Sequence, residues 1–430
     1  MRLTDARAIV VDPADAAADR AGDLDTADLG IPGDDVALDA SGCVVTPGLV
    51  NAHHHLLQSA FRTLPGTRGV PMRDWLPAMA AAYADARIDP DLAATAAAVG
   101  VAEGLLCGVT TVADHQLNWP AEASPADTVD IATAVADAAL ALGGRLVFVR
   151  GSARDDPERA AASADAIAAA LAPRAAADGE AAGMLQLAVG PAGVHSDSRA
   201  TFEMLAEVAA RHGLRRRTQA NEQVDVEIAL ERYGRRPLDL LDEWGWLAPD
   251  VTIAHLCGVT GPEIRRVAES GASATHAPGC DVPMGWGVAP VAQLLGAGVE
   301  VGLGTSGGGS NDAGHLLADA RLAMQVSGLV GPQLAAREAL ALATSGSSAG
   351  LGRDELGHLR PGSAGDLCVW DTTGVADAGV ADPVAGLLWA SPGRRPRHVV
   401  VGGRVVVRDY ALVTGDESAI VARMRERVGR

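Results

Sequence analysis

Residues 44–55 read VVTPGLVNAHHH. An apolar, β-branched run that ends in three histidines reads as a strand carrying polar side chains at its C-terminal end. In an extended chain, residues two apart face the same side, so His53 and His55 can reach one centre while His54 points away. Seven further runs repeat this form: VTTVADH (109–115), RLVFVRGS (145–152), LQLAVGPAG (185–193), RRRTQANE (215–222), VTIAHLCG (251–258), GASATHAPG (271–279) and VEVGLGTSGGGSND (299–312). Ala-rich stretches between them, such as Ala160–Ala172, read as helices, as does Leu334–Thr344 further on. Strands alternating with helices imply parallel βαβ units, and eight such strands in roughly 270 residues fit a (β/α)8 TIM barrel better than an open sheet.

Barrel enzymes place their chemistry at the C-terminal ends of the strands. Here those ends carry His53, His55, His115, His195, Glu222, His255 and His276. The flanks differ. Residues 1–46 and 361–415 hold short hairpin-like runs and are expected to meet in one small β-sandwich around the barrel domain, 47–360; residues 416–430 read as a helix. The Ala/Asp/Gly-rich stretch 374–385 reads as a loop.

Acidic side chains outnumber basic ones 54 to 35, for a net charge of −19, which argues against a nucleic-acid partner. All the cations are arginine, so Schiff-base chemistry and a carboxylated-lysine metal bridge are excluded. The cysteines at 43, 107, 257, 280 and 368 are odd in number and lack CxxC spacing, giving neither a disulfide framework nor a zinc ribbon. The opening MRLTDARAIVVDPADAA lacks the charge and apolar core of a signal peptide, and no apolar run is long enough for a membrane helix. A cytoplasmic protein with no membrane partner is expected.

TPGLVNAHHHLLQSAFR (46–62), PDVTIAHLCGVTGPEI (249–264), the THAPG segment and the closing VVVGGRVVVRD hairpin occur in an order that resembles the amidohydrolase superfamily. The nearest likeness is to the branch of guanine and 8-oxoguanine deaminases and triazine hydrolases. The resemblance covers essentially the whole chain and implies the same barrel with a β-sandwich from both termini. It implies one divalent metal, zinc or iron, held by two first-strand histidines, a fifth-strand histidine and an eighth-strand aspartate. His53 and His55 match the first pair. Glu222 matches a proton-shuttling glutamate, and His255 and His276 match the sixth- and seventh-strand histidines; these three are the expected catalytic groups. Gln58 matches a glutamine that contacts the base in related deaminases. Arg62, His115, His195, Trp75 and Trp286 are further candidates to meet substrate. Asp312 is expected to cap the helix that follows it.

Two positions depart from the pattern. An HTHLAE-like segment appears as RTQANE, which puts Gln219 where the third ligand is expected; a GLGVDGSASND-like segment appears as GLGTSGGGSND, which puts Ser306 at the expected aspartate. Neutral amide and hydroxyl groups are poor zinc ligands. Three readings follow: a metal still held, with His255 or substrate completing its shell; metal-independent acid–base catalysis of lyase, isomerase or cyclase type; or a catalytically dead barrel kept for binding. The expected substrate is a nitrogen heterocycle or amidine-like small molecule undergoing deamination or related hydrolysis, in a homo-oligomer.

Overall fold

Every residue of Leu49–His55 is buried, as a strand covered on both faces requires. In the computed structural model, which describes residues 1–30 and 33–429, it is preceded by β1 (Arg2–Ile9), β2 (Arg20–Asp25), β3 (Ala37–Asp39) and β4 (Cys43–Pro47), and is itself β5. It pairs in parallel with β6 (Val109–Gln116), and the series continues through β7 (Arg145–Ser152), β8 (Leu185–Pro191), β9 (Arg215–Ala220), β10 (Val251–His255), β11 (Ser273–His276) and β12 (Val301–Leu303). Three residues beyond the end of β12, β13 (Ser306–Gly307) pairs with His54 and His55 of β5 and so returns the sheet to its first strand. Gly304 lies at that closure. A Cβ there would sit 2.6 Å from the His53 carbonyl oxygen, so no larger residue fits without moving backbone.

The helices between the strands start on local signals. Pro90–Leu106, Pro125–Ala141 and Pro157–Ala175 each carry proline in the first turn and an Asp or Ser cap whose side chain accepts the third helical amide. Pro125–Ala141 buries Thr128, Ile131, Ala132, Val135, Ala136 and Ala139, a single stripe that packs against the strands.

The chain ends form a separate sheet. Its order is β17-β16-β15-β14-β4-β1-β2, with β3 on β1, where β14 is Leu367–Asp371, β15 His398–Val401, β16 Arg404–Arg408 and β17 Ala411–Leu412. Because β4 runs through Gly48 directly into β5, this sheet is tied to the barrel. The stretch expected as a loop at 374–385 is partly helical. Asp382 accepts the amides of Val384 and Ala385, and Pro383 opens a helix to Trp389. The C-terminal helix, Glu417–Val428, is held to the barrel by Arg427 on Asp89 at 3.0 Å. Among the described residues no helix is long and apolar enough to cross a membrane.

Candidate active site

The C-terminal ends of the strands carry a concentration of unusual backbone. Asn221, His255, Leu256 and Ser306 all adopt positive φ, between 54° and 75°, although none is glycine. Such conformations cost free energy and persist where the surroundings over-determine them, commonly at functional sites. Above these residues opens a cavity of about 150 Å³. Gln58, Trp75, His195 and Trp286, four of the six residues expected to meet substrate, border it. His55, Gln219, His255 and Ser306 form its floor from the strand ends.

His53 and His55 project to one side, with ring centroids 4.9 Å apart. His54 turns away and places Nδ1 2.9 Å from Thr305 Oγ1. His55 Nδ1 lies 2.7 Å from the His115 carbonyl, which can only accept, so the ring proton sits on Nδ1 and Nε2 is bare. His115, also expected to meet substrate, lies beneath the cavity, with Nε2 2.9 Å from the Gly190 carbonyl. Burial, aided by neighbouring histidines, pushes His53 far below its ordinary pKa, His55 to about 4 and His115 to about 3; these imidazoles are neutral.

His255 is differently placed. Its Nδ1 lies 2.6 Å from Asp281 Oδ1, and its Nε2 faces Glu222 Oε1 at 3.4 Å. Burial opposes a charge on this ring, yet the two carboxyl groups outweigh burial and its pKa is raised. Glu222 is fully buried, neither of its oxygens has a hydrogen-bond partner, and burial raises its pKa against the pull of His255 and His195. Asp281 is also buried, but His255 and His276 overcome that penalty and hold its pKa below the usual carboxylate range. His276 Nδ1 lies 3.2 Å from Asp281 Oδ2, behind the aspartate and away from the cavity wall. A second histidine–aspartate couple closes the other side: His195 Nδ1 is 3.1 Å from Asp225 Oδ1, and Asp225 also accepts the backbone amides of His195 and Asn221. Glu222 therefore sits between two aspartate-backed histidines.

Asp281 and Asp225 were not among the candidates drawn from sequence. Asp281 had a usable signal, as the first acidic residue after the seventh strand, five residues beyond His276. Two other expectations are corrected. Arg62 pairs with Glu103 and does not border the cavity. Asp312 accepts the Thr63 amide at 2.8 Å and pairs with Arg68, so it anchors the loop after β5; the following helix, Leu316–Ser327, takes its cap from His315. The aromatic walls are fixed by main-chain contacts. Trp75 Nε1 donates to the Gly309 carbonyl at 3.0 Å, and Gln58 Oε1 accepts the Gly309 amide at 3.0 Å. Trp286 stands edge-on to His255, with centroids 5.1 Å apart.

His53 Nε2 is buried without a partner, and it shares this side with the bare Nε2 of His55. A tetrahedral zinc site needs further imidazole, thiolate or carboxylate donors; the strand ends facing this pair supply Gln219, Ser306 and His255, whose ring centroid is 5.2 Å from that of His53 but whose two nitrogens face Asp281 and Glu222. Among the described residues, the one group of three His, Cys, Asp or Glu ligand atoms within 4.8 Å of one another is His255, Cys280 and Asp281. It includes neither His53 nor His55, and its histidine and aspartate are already hydrogen-bonded to each other.

Known proteins share this architecture along the whole chain. The 8-oxoguanine deaminase of Pseudomonas aeruginosa is 35% identical over 404 residues, covering 90% of this chain and 87% of that protein. A 5-methylthioadenosine/S-adenosylhomocysteine deaminase of Halobacterium salinarum is 33% identical, over 92% of this chain and 89% of its own. The crystal structure of atrazine chlorohydrolase TrzN from Arthrobacter aurescens, complexed with zinc, superposes with a TM-score of 0.90 at 31% identity, over 99% of each chain. Residues 44–406, from the last strand of the N-terminal sheet through the barrel to its C-terminal partners, match the amidohydrolase family, and this chain belongs to it.

Proposed function

We propose that this chain is an aminohydrolase that removes an amino group from a nitrogen heterocycle, working by proton transfer without a resident metal. The observation that carries the reading is His255, at the cavity floor, with one ring nitrogen facing Asp281 and the other Glu222. The donor set around His53 and His55 does not fit a four-ligand divalent site, so no step is assigned to a metal.

Size and lining point to the substrate class. A cavity of about 150 Å³ is on the scale of one that accepts a single aromatic ring, and Trp75, Trp286 and Tyr83 give it flat apolar walls. Gln58 and His195 add hydrogen-bonding edges suited to ring nitrogens and carbonyls.

Burial raises the pKa of Glu222 and so favours its holding a proton, and the short path to His255 lets a proton of this pair reach a ring nitrogen of the substrate. The neighbouring amino-bearing carbon becomes electrophilic, and water adds to it. A C–O bond forms, and the water's second proton goes to the Glu222–His255 couple. That proton is passed to the amino group, the C–N bond breaks with its electron pair leaving on ammonia, and the hydroxyl proton returns to the couple to leave a lactam. Asp281 orients His255 for both transfers. The test is ammonia release from a panel of amino-substituted purines, pterins and triazines. Turnover on at least one ring, lost in Glu222→Gln and in His255→Gln, is expected. Full turnover in Glu222→Gln would remove the proton carrier and the proposal with it.

A further inference from the structure

The strand β9 begins Arg215-Arg216-Arg217, which looks like a basic surface run, but alternation along the strand separates the three. Arg216 faces outward, paired with Asp250 and lying over the Trp246 ring. Arg215 reaches the carbonyls of Pro249 and Gly350. Arg217 shares the inward face with Gln219, one layer below the cavity floor, and is 3% exposed. Its Nη2 donates to the carbonyl of Ala52, the peptide that joins Ala52 to His53. No carboxylate among the described residues pairs with it.

A buried guanidinium without a counter-charge is rare, because the group cannot be neutralised as lysine or histidine can. We propose that Arg217 is a fixed cation built into the barrel beneath His53 and His55, that it supplies the positive charge a divalent metal would bring, and that it thereby keeps such a metal out. The inference rests on the metal-free reading above and names the residue that enforces it. A guanidinium keeps its charge even when buried, so Arg217 is a permanent cation at this depth. A divalent ion at the two histidines would face this cation through protein, with no carboxylate at Gln219 or Ser306 to offset it.

The test restores the missing donors and then removes the charge. Zinc affinity is measured by competition with a chromophoric chelator for four proteins: wild type; Gln219→His/Ser306→Asp; and that double variant combined with Arg217→Met or with Arg217→Lys. Circular dichroism checks the fold of each. The double variant and the Lys triple variant are expected to bind zinc weakly. The Met triple variant is expected to take up one zinc per chain with an affinity higher by on the order of a hundredfold or more. Tight zinc in the double variant, or no gain in a folded Met triple variant, overturns the role given to Arg217. The first of these results needs no Arg217 variant to fold. Stoichiometric zinc in the wild type would instead overturn the metal-free reading, so the two failures are distinguishable.

Discussion

Replacing Asp281 by asparagine isolates the charge that orders the site. Asparagine keeps the shape and an acceptor oxygen for His255 Nδ1, 2.6 Å away, but removes the negative charge from a side chain that is wholly buried. Removing one partner of a buried ion pair costs about 3–5 kcal/mol. The retained acceptor and the ability of His255 to shed its proton bring the expected loss to about 3 kcal/mol. For 430 residues at roughly 2.1 cal/mol/K each, the unfolding entropy is about 0.9 kcal/mol/K, so the melting temperature should fall by about 3 °C. The loss depends on pH, with a definite sign. The depressed pKa of Asp281 contributes stability that is present above the ordinary aspartate value near 4 and disappears only in strong acid. The raised pKa of His255 contributes stability that is fully present below about 6.5 and disappears as pH rises through its folded value. The pair is therefore worth most between about pH 4 and 6.5. Scanning calorimetry of both proteins should show the full difference at pH 5.5 and a smaller one, about 1 kcal/mol for the remaining hydrogen bond, at alkaline pH. NMR of the His255 ring should show a lower pKa in the variant. An equal shift at both pH values, or one below about 1 °C at pH 5.5, would refute the ion pair.

Three other perturbations follow from the same geometry. Asp319 is buried, accepts the Gly279 amide at 2.7 Å, and has its pKa raised to about 7 by burial, so its contribution is lost as pH rises from about 4 through 7; Asp319→Asn should gain roughly 3 kcal/mol on wild type between pH 5 and 8 in denaturant melts, and parallel profiles would contradict this. Gly304→Ala forces a methyl against the His53 backbone and should cost about 3 kcal/mol or more, read as lost soluble yield or melting temperature; a wild-type melt would mean that β12 and β5 are not in contact. Trp286→Phe shortens the wall beside His255, 5.1 Å away, and should raise KM several-fold with kcat little changed, whereas an unchanged KM would place the ring elsewhere.

The barrel was legible because most of its strands are short, buried apolar runs with polar ends, spaced by helical stretches, and the His53/His55 pair because strand alternation settles which way each ring points. His255 and Glu222 could be placed at strand ends, but not in contact, since 33 positions separate them in the chain and only the parallel pairing of β9 and β10 brings them together. Asp281 escaped notice for the same reason: it is 26 positions from His255 and meets it through a short helix after β11. Asp312 was misread because Ser, Asn and Asp before an apolar run are a helix-start signal, while the local chain instead used His315 as the cap and left Asp312 to a loop 249 positions away. Arg217 could not be told from Arg215 and Arg216 in sequence, because three adjacent arginines look alike and only burial separates them.

The central claim is that proton transfer through His255 and Glu222 operates without a bound metal. Its most direct test is the zinc and iron content of protein purified without added metal, with turnover measured before and after exhaustive chelation. The account predicts far less than one metal per chain and unchanged ammonia release after chelation. One tightly held metal per chain, with activity lost on chelation and restored by zinc, would contradict it.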